Sequence, residues 1–472
     1  MKRLNKPENM ILVLGLGIII YLLFVRPFIG VADNGDFLRM MSTTGLNYYD
    51  AAESYADRFF NFSHSRFSYE NLFKGFYPSS QIILVLIPRL IGGVFHGSYF
   101  DIRLLGAVYG LLLLGATWLL VKHNARGSYI AGLLLGGAIL FVFYDIGYLA
   151  YFNSLFGEPV SMVFMLLTFA IGLRLTRMDR PTTKGLTVFF IAVLFLTCSK
   201  IQNAPIGIAF ALIFLRFAAL QGEGNWRKLA LRFSAAIFLI SILLYVTAPK
   251  DLKHINLYQT VFFGILNESP DVKGDLQDLG LPERLEVLAG TNYFQTDTAI
   301  KQDDPTLQAD FYDQVSHKDV LFFYLKNPGR LIDNMKYAAN NSMSIRPYYL
   351  GNYEKGENKP EGSLSYTYSV WSQFKNNHVP HTLGFLLVFY GVYFAGALFQ
   401  YFRSRDIRGK VTGELMMLLG LIGIFSFLVP ILGDGRADIG KHLFMFNVSF
   451  DMMVVTMFGW VLYKLAGTIN LD

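Results

Sequence analysis

Two carboxylates, Asp33 and Asp36, follow the first apolar segment of this chain, residues 10–25. Carboxylates at a membrane surface can act as general bases, or can bind a divalent cation such as Mg²⁺ or Mn²⁺ together with phosphate oxygens. If this turn is helical, the i, i+3 spacing places both carboxylates on one face, close enough to share a metal ion or to raise one pKa. The alternative is structural, because Asp33 or Asn34 would suit the cap of a helix that begins near Phe37.

Two further acidic residues lie at or within apolar segments. Glu158 precedes Pro159 at a helix entrance, where a negative charge stabilises the helix by about 0.5 kcal/mol. A role in a functional site is the equal alternative. Asp145 lies inside an apolar segment, where an ionisable group is costly and therefore indicates function. Tyr144 and Tyr148 are its predicted neighbours.

The last polar turn, residues 433–442, contains cations that could bind a phosphate. Arg436, Lys441 and His442 are the predicted phosphate-binding residues, because Arg and Lys suit phosphate oxygens and the neighbouring glycines permit tight turns. Surface loops often have the same composition, so a solvated loop is the open alternative.

The composition predicts a membrane protein with several spans. Of the 472 residues, 53% are hydrophobic and only 16% are charged, which is far more apolar than a soluble domain requires. The net charge of +6 comes from short basic clusters between apolar segments, a pattern that sets membrane topology, so we exclude nucleic acid as a partner. The single cysteine, Cys198, leaves no cysteine-based metal cluster.

About ten apolar stretches are long enough to cross a ~30 Å hydrocarbon core. They cover residues 10–25, 104–121, 129–149, 159–174, 185–198, 203–219, 230–248, 382–402, 411–432 and 443–463. Lys2 and Arg3 precede the first stretch and basic residues concentrate in alternate connections, so both termini are predicted to be cytoplasmic. Residues 80–95 are apolar but short and contain Pro88, and we predict a helix that lies in the outer interface or dips in and out of the membrane.

The predicted fold is therefore an all-α polytopic protein of the cell membrane with a large mixed extracytoplasmic loop domain. Its predicted parts are a first transmembrane helix, a first outer loop, a six-helix core, the loop domain and three C-terminal helices, which cover residues 1–25, 26–103, 104–248, 249–381 and 382–472.

The order of these parts resembles the GT-C superfamily of polyprenyl-phosphate-sugar-dependent glycosyltransferases. The resemblance covers residues 1–250 in layout: an acidic first outer loop, the passage of residues 77–95, the return span after Asp101 and the acidic outer turn at Glu158. The chain departs from the GT-C pattern in having Tyr77-Pro78-Ser79 where Lys-Pro-Pro is familiar. Residues 33–37 and 433–451 are also similar to the bacterial S-layer glycan biosynthesis hexose transferase group.

This resemblance implies an enzyme that transfers a hexose from a polyprenyl-phosphate donor to a cell-envelope glycan or lipid-linked acceptor on the outer membrane face. Asp33 or Asp36 would deprotonate the acceptor hydroxyl or help to hold a divalent cation, and Glu158 would support the site. The donor phosphate would meet Arg436, Lys441 or a basic residue of the long loop. One in-line displacement would then invert the anomeric carbon.

Three other interpretations stay open at this point, and one of them is a structural membrane scaffold, for which Asp36→Asn would leave function intact. A flippase or exporter of lipid-linked glycans would need polar residues along a path through the bundle. A polymerase or ligase that joins lipid-linked oligosaccharides would use similar basic residues at the outer surface.

Overall fold

A computed structural model describes residues 6–124 and 128–468. Lys2 and Arg3, which contribute to the topology prediction, lie outside these ranges. The α-helices in the described ranges are α1 Pro7–Phe24, α2 Phe37–Thr44, α3 Tyr55–Arg58, α4 Gln81–Phe95, α5 Arg103–Asn124, α6 Tyr129–Phe143, α7 Ile146–Leu149, α8 Glu158–Arg177, α9 Thr183–Thr197, α10 Ala204–Phe217, α11 Trp226–Val246, α12 Lys250–Tyr258, α13 Val272–Asp278, α14 Pro305–Leu307, α15 His317–Lys326, α16 Pro328–Asn340, α17 Val370–His378, α18 Leu383–Arg403, α19 Ile407–Asp434, α20 Ile439–His442 and α21 Phe444–Thr468.

Shorter elements complete the fold. The strands are β1 Leu46–Tyr48, β2 Arg66–Tyr69 and β3 Phe100–Asp101. Turns of 3-10 helix cover Ala150–Asn153, Ile201–Asn203, Glu283–Leu288 and Lys355–Glu357, and π-helical turns cover Gln259–Ile265 and Gln308–Tyr312.

Seven helices in the described ranges are long and apolar enough to cross a membrane: α1, α5, α8, α11, α18, α19 and α21. Helix α6 and the segment Ile146–Asn153 meet at a bend of 53° and form an eighth crossing if they are one span. The predicted number of ten is not confirmed. Helix α9 has 15 residues and Ile201–Phe217 is also short, whereas a span needs ~20 residues.

Helix α8 is the central helix of the bundle. In its most apolar stretch 83% of the residues are buried, compared with 22% in the peripheral helices α11 and α18. A helix that is apolar on all sides is expected to lie in such a position. Pro159 in its first turn suits a helix start, since the missing N–H has no partner within the helix there.

The segment predicted to be the first outer loop, residues 26–103, contains a small sheet that the sequence did not predict. Strands β1, β2 and β3 pair antiparallel in that order, with Leu46 opposite Tyr69 and Phe67 opposite Phe100. Gly45 ends α2 with φ +65°, and an added Cβ would lie 2.6 Å from the carbonyl oxygen of Glu70, so the turn into β1 requires glycine. Strands this short give no clear alternating pattern.

The same loop also contains three helices, α2, α3 and α4, which are joined by turns and irregular segments. The interfacial helix predicted at residues 80–95 corresponds to α4, which has 15 residues and continues through Pro88. Arg89 on this helix donates hydrogen bonds to the carbonyl oxygens of Gly45 and Glu70. Helix α4 is thereby attached to the sheet of the loop.

Residues 249–381 are helical rather than mixed. Helices α12 to α17 lie in this segment, and its described residues form no named strand. The first part has its own apolar core, which includes Tyr258, Phe262 and Phe311, while the later part, with Ala338 and Trp371, packs into the core of the membrane bundle. The segment thus has two packing environments.

A buried ion pair fixes α17 to α21. Lys375 Nζ lies 2.6 Å from Asp451 Oδ1, and neither side chain is exposed. Asp451 Oδ2 also accepts hydrogen bonds from the Tyr148 hydroxyl at 2.6 Å and from Trp371 Nε1 at 2.9 Å. The Asp451 carboxylate therefore has three hydrogen-bond donors, one of which, Lys375, also supplies the compensating charge.

The hydroxyl groups of the two tyrosines predicted beside Asp145 have other hydrogen-bond partners. Tyr148 bonds to Asp451, and Tyr144 shares a hydrogen bond with Thr117. Asp145 instead accepts the N–H groups of Gly147 and Ser372 and caps α7. Its carboxylate joins the bent span to the start of α17.

We expect Lys375→Met to destabilise the protein by about 3–5 kcal/mol, because it leaves the Asp451 carboxylate buried without a compensating charge. Denaturant unfolding of the protein in detergent would measure the loss. Lys336→Met is the control, because Lys336 and Asp333 form an exposed pair with side chains 62% and 60% accessible and its loss should cost less than about 1 kcal/mol. Equal losses in both variants would contradict the role of the buried pair.

Candidate functional site

Five charged side chains meet at the end of the bundle where α8 begins, and we name them the charged cluster: Asp36, Arg39, Glu158, Lys200 and Lys441. Lys441 Nζ forms a close ion pair with Asp36 Oδ2, and Arg39 lies 3.1 Å from Asp36 Oδ1. Lys200 Nζ lies 2.6 Å from Glu158 Oε1. Three cations thus surround two carboxylates.

Separate elements position these side chains. Asp36 directly precedes α2, and Arg39 lies in the first turn of that helix. Glu158 is the first residue of α8, Lys200 follows α9, and Lys441 lies on α20. The cluster therefore forms only when four parts of the chain pack together.

A small cavity of 30 Å³ opens between these groups, with Asp36, Arg39, Tyr77, Glu158 and Lys200 in its lining. That volume has room for about one water molecule. A hydroxyl group would fit, but a whole sugar requires movement of the lining side chains.

Asp33 does not face the cluster. Its side chain is buried, and its Oδ1 accepts the N–H of Gly35 at 2.8 Å and of Phe37 at 3.0 Å. Its Oδ2 accepts a hydrogen bond from the Tyr48 hydroxyl. The cap position of α2 is Asp36, whose side chain makes no cap hydrogen bond. Asp33 nevertheless has a structural role, because it satisfies the N–H of Phe37, the first residue of α2.

Asp33 and Asp36 consequently have opposite electrostatic environments. Burial raises the pKa of Asp33, and the Tyr48 hydrogen bond offsets only part of this. Burial also opposes ionisation of Asp36, but the charges of Lys441 and Arg39 outweigh it and hold the pKa of Asp36 well below its ordinary value. The two carboxylates do not share one helical face, because Asp33 precedes the helix.

Lys441 is held in its charged form. Its side chain is 1% exposed, and burial alone would favour the neutral amine, but the charges of Asp36 and Glu158 outweigh burial and raise the pKa of Lys441. Its ammonium also donates to Asn34 Oδ1 at 3.1 Å and lies 4.4 Å from the centroid of the Phe156 ring. These contacts fix a permanent positive charge beside the cavity.

Glu158 has one oxygen without a partner. Oε1 accepts from Lys200, whereas Oε2 is buried and has no hydrogen-bond partner in the described part of the chain. An unsatisfied buried acceptor costs about 1–3 kcal/mol. Such an oxygen beside a cavity is suited to accept a hydrogen bond from a ligand hydroxyl.

Only one of the three predicted phosphate-binding residues joins the cluster. Lys441 does, but Arg436 donates to Asn334 Oδ1 at 3.0 Å and pairs with Glu268. His442 Nε2 lies 2.7 Å from Asp434 Oδ2. The three side chains therefore do not form a common phosphate site.

The predicted metal site does not fit the arrangement of ligands. The described residues contain no group of three or more His, Cys, Asp or Glu side chains that could hold a metal ion. Asp33 is occupied by backbone and tyrosine donors, and Asp36 by two cations. We therefore derive no step that involves a divalent cation.

Arg39 and Lys200 are cluster residues that the sequence did not single out. Arg39 follows Asp36 at a spacing that favours ion pairing on a helix, so this signal was present. Lys200 stands in a connection predicted to be extracytoplasmic, where basic residues are scarce. Its pairing with Glu158 has no local signal.

We expect Asp33→Asn to preserve the start of α2 and Asp33→Ala to disrupt it. The Asn oxygen can still accept the N–H groups of Gly35 and Phe37, whereas Ala leaves these donors and the Tyr48 hydroxyl without their acceptor, at a cost of about 1–3 kcal/mol for each buried group. Thermal unfolding of the purified protein would measure the difference. Equal unfolding temperatures for both variants would contradict the capping role.

The raised pKa of Asp33 also predicts a pH dependence. Protonated Asp33 makes its full contribution to stability below its ordinary pKa of about 3.9. This contribution is lost as the pH rises through the higher pKa of Asp33 in the folded protein, because the buried carboxyl group then becomes charged. Relative to the native chain, Asp33→Asn should therefore gain stability as the pH rises above about 4. A constant difference across this range would contradict the raised pKa.

The comparisons with known proteins agree with the transmembrane architecture. No curated protein matches the chain. A family model described as the YfdI N-terminal transmembrane domain matches residues 1–470, which includes every residue of the charged cluster. The protein is thus a multi-pass membrane protein, and it belongs to the family of the YfdI N-terminal transmembrane domain.

Proposed function

We propose that this protein is a GT-C-type glycosyltransferase that moves a hexose from a polyprenyl-phosphate donor to a cell-envelope glycan or lipid-linked acceptor. The observation that carries the proposal is the unpartnered buried oxygen of Glu158 within a cluster of three cations. Such a site pairs a proton acceptor with groups that stabilise a departing phosphate.

We place the charged cluster at the outer membrane face and both termini in the cytoplasm. Helix α8 begins with Glu158 and has Arg174 and Arg177 in its last turn, and α5 has Lys122 in its last turn. Basic residues are therefore concentrated at the end of the bundle opposite Glu158, and such a concentration favours the cytoplasmic side for that end.

Glu158 is our candidate for the general base, in place of Asp33 or Asp36. Both oxygens of Asp36 are held by cations, so neither is available to accept a proton. Asp33 is occupied at the start of α2. A base must have an oxygen within hydrogen-bond reach of the acceptor hydroxyl, and Glu158 Oε2 has no competing partner.

The proposed reaction is a single displacement. The acceptor hydroxyl gives its proton to Glu158 Oε2 while its oxygen forms a bond to the anomeric carbon. The bond between that carbon and the phosphate oxygen breaks, and polyprenyl phosphate leaves with the electron pair. Lys200, Lys441 and Arg39 stabilise the negative charge of the phosphate, and attack opposite the leaving group inverts the anomeric carbon.

In this scheme Asp36 is a positioning residue. Its carboxylate holds Lys441 and Arg39 on opposite oxygens, so it fixes two of the three cations that meet the phosphate. The small cavity requires Arg39 and Tyr77 at its lining to move when the donor enters, as in enzymes that close around their substrates.

The carrier alternative has less support. It requires charged groups that are available along a path through the bundle. Arg216 and Asp145 are the candidates that the sequence provides, but Arg216 Nε donates to both oxygens of Glu414 at 2.8 and 2.9 Å, and Asp145 caps α7.

The decisive experiment measures transfer of radiolabelled hexose from a polyprenyl-phosphate donor in membranes that contain the native chain or a variant at matched expression. We expect Glu158→Gln to lower the rate by about 10²–10⁴-fold, the range for loss of a general base. Asp36→Asn should cause a smaller loss, because it weakens the placement of Lys441 and Arg39. Asp333→Asn is the control, since Asp333 is exposed and should leave transfer unchanged.

Each contrary result has a defined meaning. A larger loss for Asp36→Asn than for Glu158→Gln would exchange the proposed roles of the two residues. Full activity of both variants would remove the charged cluster as the active site. No transfer by the native chain from any member of a donor panel would overturn the transferase proposal in favour of a carrier.

A further inference from the structure

A second cavity, of 710 Å³, lies between helices α5, α6, α8, α18, α19 and α21. Its charged lining includes Arg177 at the last residue of α8, whereas Glu158 of the charged cluster is the first. The 20 residues of α8 separate these two ends by ~30 Å. The second cavity is therefore distinct from the candidate active site.

The inner wall of this cavity is apolar. Its lining includes Ile139, Phe143, Leu166, Phe169 and Met452. The volume equals that of roughly two dozen water molecules, yet these side chains offer water no hydrogen bonds. An empty space would forfeit their dispersion contacts. The interior is therefore suited to hydrocarbon chains.

Helix α18 contacts α21 through aromatic side chains along one part of its length. Phe389 on α18 stacks on Phe450 of α21 with ring centroids 4.2 Å apart. Farther along α18, Gly396 and Ala397 line the cavity, and a Cβ added at Gly396 would meet no atom within 4 Å. Since α18 is a peripheral helix, the cavity lies next to the surrounding lipid.

Charged residues of both signs stand at the mouth: Arg177, Asp179, Asp406 and Arg408. Arg408 pairs with Asp179 and, at 3.4 Å, with Asp406. The Asp179 side chain is 92% exposed, so the ion pair is weak and can be exchanged for a ligand's charges. Two guanidinium groups and two carboxylates match a headgroup that has one positive and one negative charge.

We propose that this cavity binds one phospholipid whose acyl chains fill the apolar interior and whose phosphoethanolamine headgroup lies at the mouth. The Arg408 guanidinium binds the phosphate, and the carboxylates of Asp179 and Asp406 bind the primary ammonium. An anionic headgroup would be repelled by both carboxylates, and a polyprenyl phosphate would leave them without a partner. This lipid site does not depend on the proposed glycosyltransferase activity.

The test is native mass spectrometry of the delipidated full chain in detergent, titrated with phosphatidylethanolamine or phosphatidylglycerol of identical acyl chains. We expect a one-to-one complex with phosphatidylethanolamine, at least about tenfold tighter than with phosphatidylglycerol, a factor that equals about 1.4 kcal/mol. Gly396→Phe should abolish the complex by filling the cavity. Arg408→Ala should weaken it while leaving the apolar interior unchanged.

Gly391→Phe is the matched control. Gly391 lies on the same helix with no atom within 4 Å of an added Cβ, but it does not line the cavity, so lipid binding should persist. Equal binding of both lipids, or equal losses in the two glycine variants, would overturn the proposal and indicate a non-specific lipid layer. Tighter binding of polyprenyl phosphate than of phosphatidylethanolamine would also overturn it and assign the cavity to the donor.

Discussion

The ion pair between the buried Lys441 and the partly exposed Asp36 is the constraint on which the site depends, because it joins residues that are 405 positions apart. An ammonium group enclosed as completely as that of Lys441 is costly unless a carboxylate compensates it, since each desolvated ion costs several kcal/mol. Residues 26–103 and the last polar turn, residues 433–442, must therefore meet. Closing the bundle in this way also brings Lys441 close to Glu158, whose charge helps to raise the pKa of Lys441.

Helix α8 connects the two regions to which we assign a function. Its first residue, Glu158, supplies the unpartnered oxygen of the charged cluster, and its last residue, Arg177, lines the second cavity. Because α8 is buried along most of its length, the helices around it determine the shape of both cavities. Chemistry at one end and lipid binding at the other are thus proposed for a single rigid element.

The pair Asp33 and Asp36 shows how the backbone separates neighbouring residues of the same type. Asp33 precedes the helix, so its carboxylate bonds to the N–H groups of Gly35 and Phe37. Asp36 stands where α2 starts and directs its carboxylate to Arg39 and Lys441. Asp33 therefore has the structural role at the start of α2, whereas Asp36 belongs to the charged cluster.

The sequence by itself determined the apolar helices, the start of α2 at Phe37 and the helix opened by Pro159, because periodicity, length and caps are local properties of the chain. It also indicated that Asp36, Glu158 and Lys441 are candidates, but not their partners. Only the tertiary structure decided that Lys200 meets Glu158, while Arg436 turns to Glu268. Ion pairs between distant segments depend on how the helices pack, and no local spacing in the sequence encodes that packing.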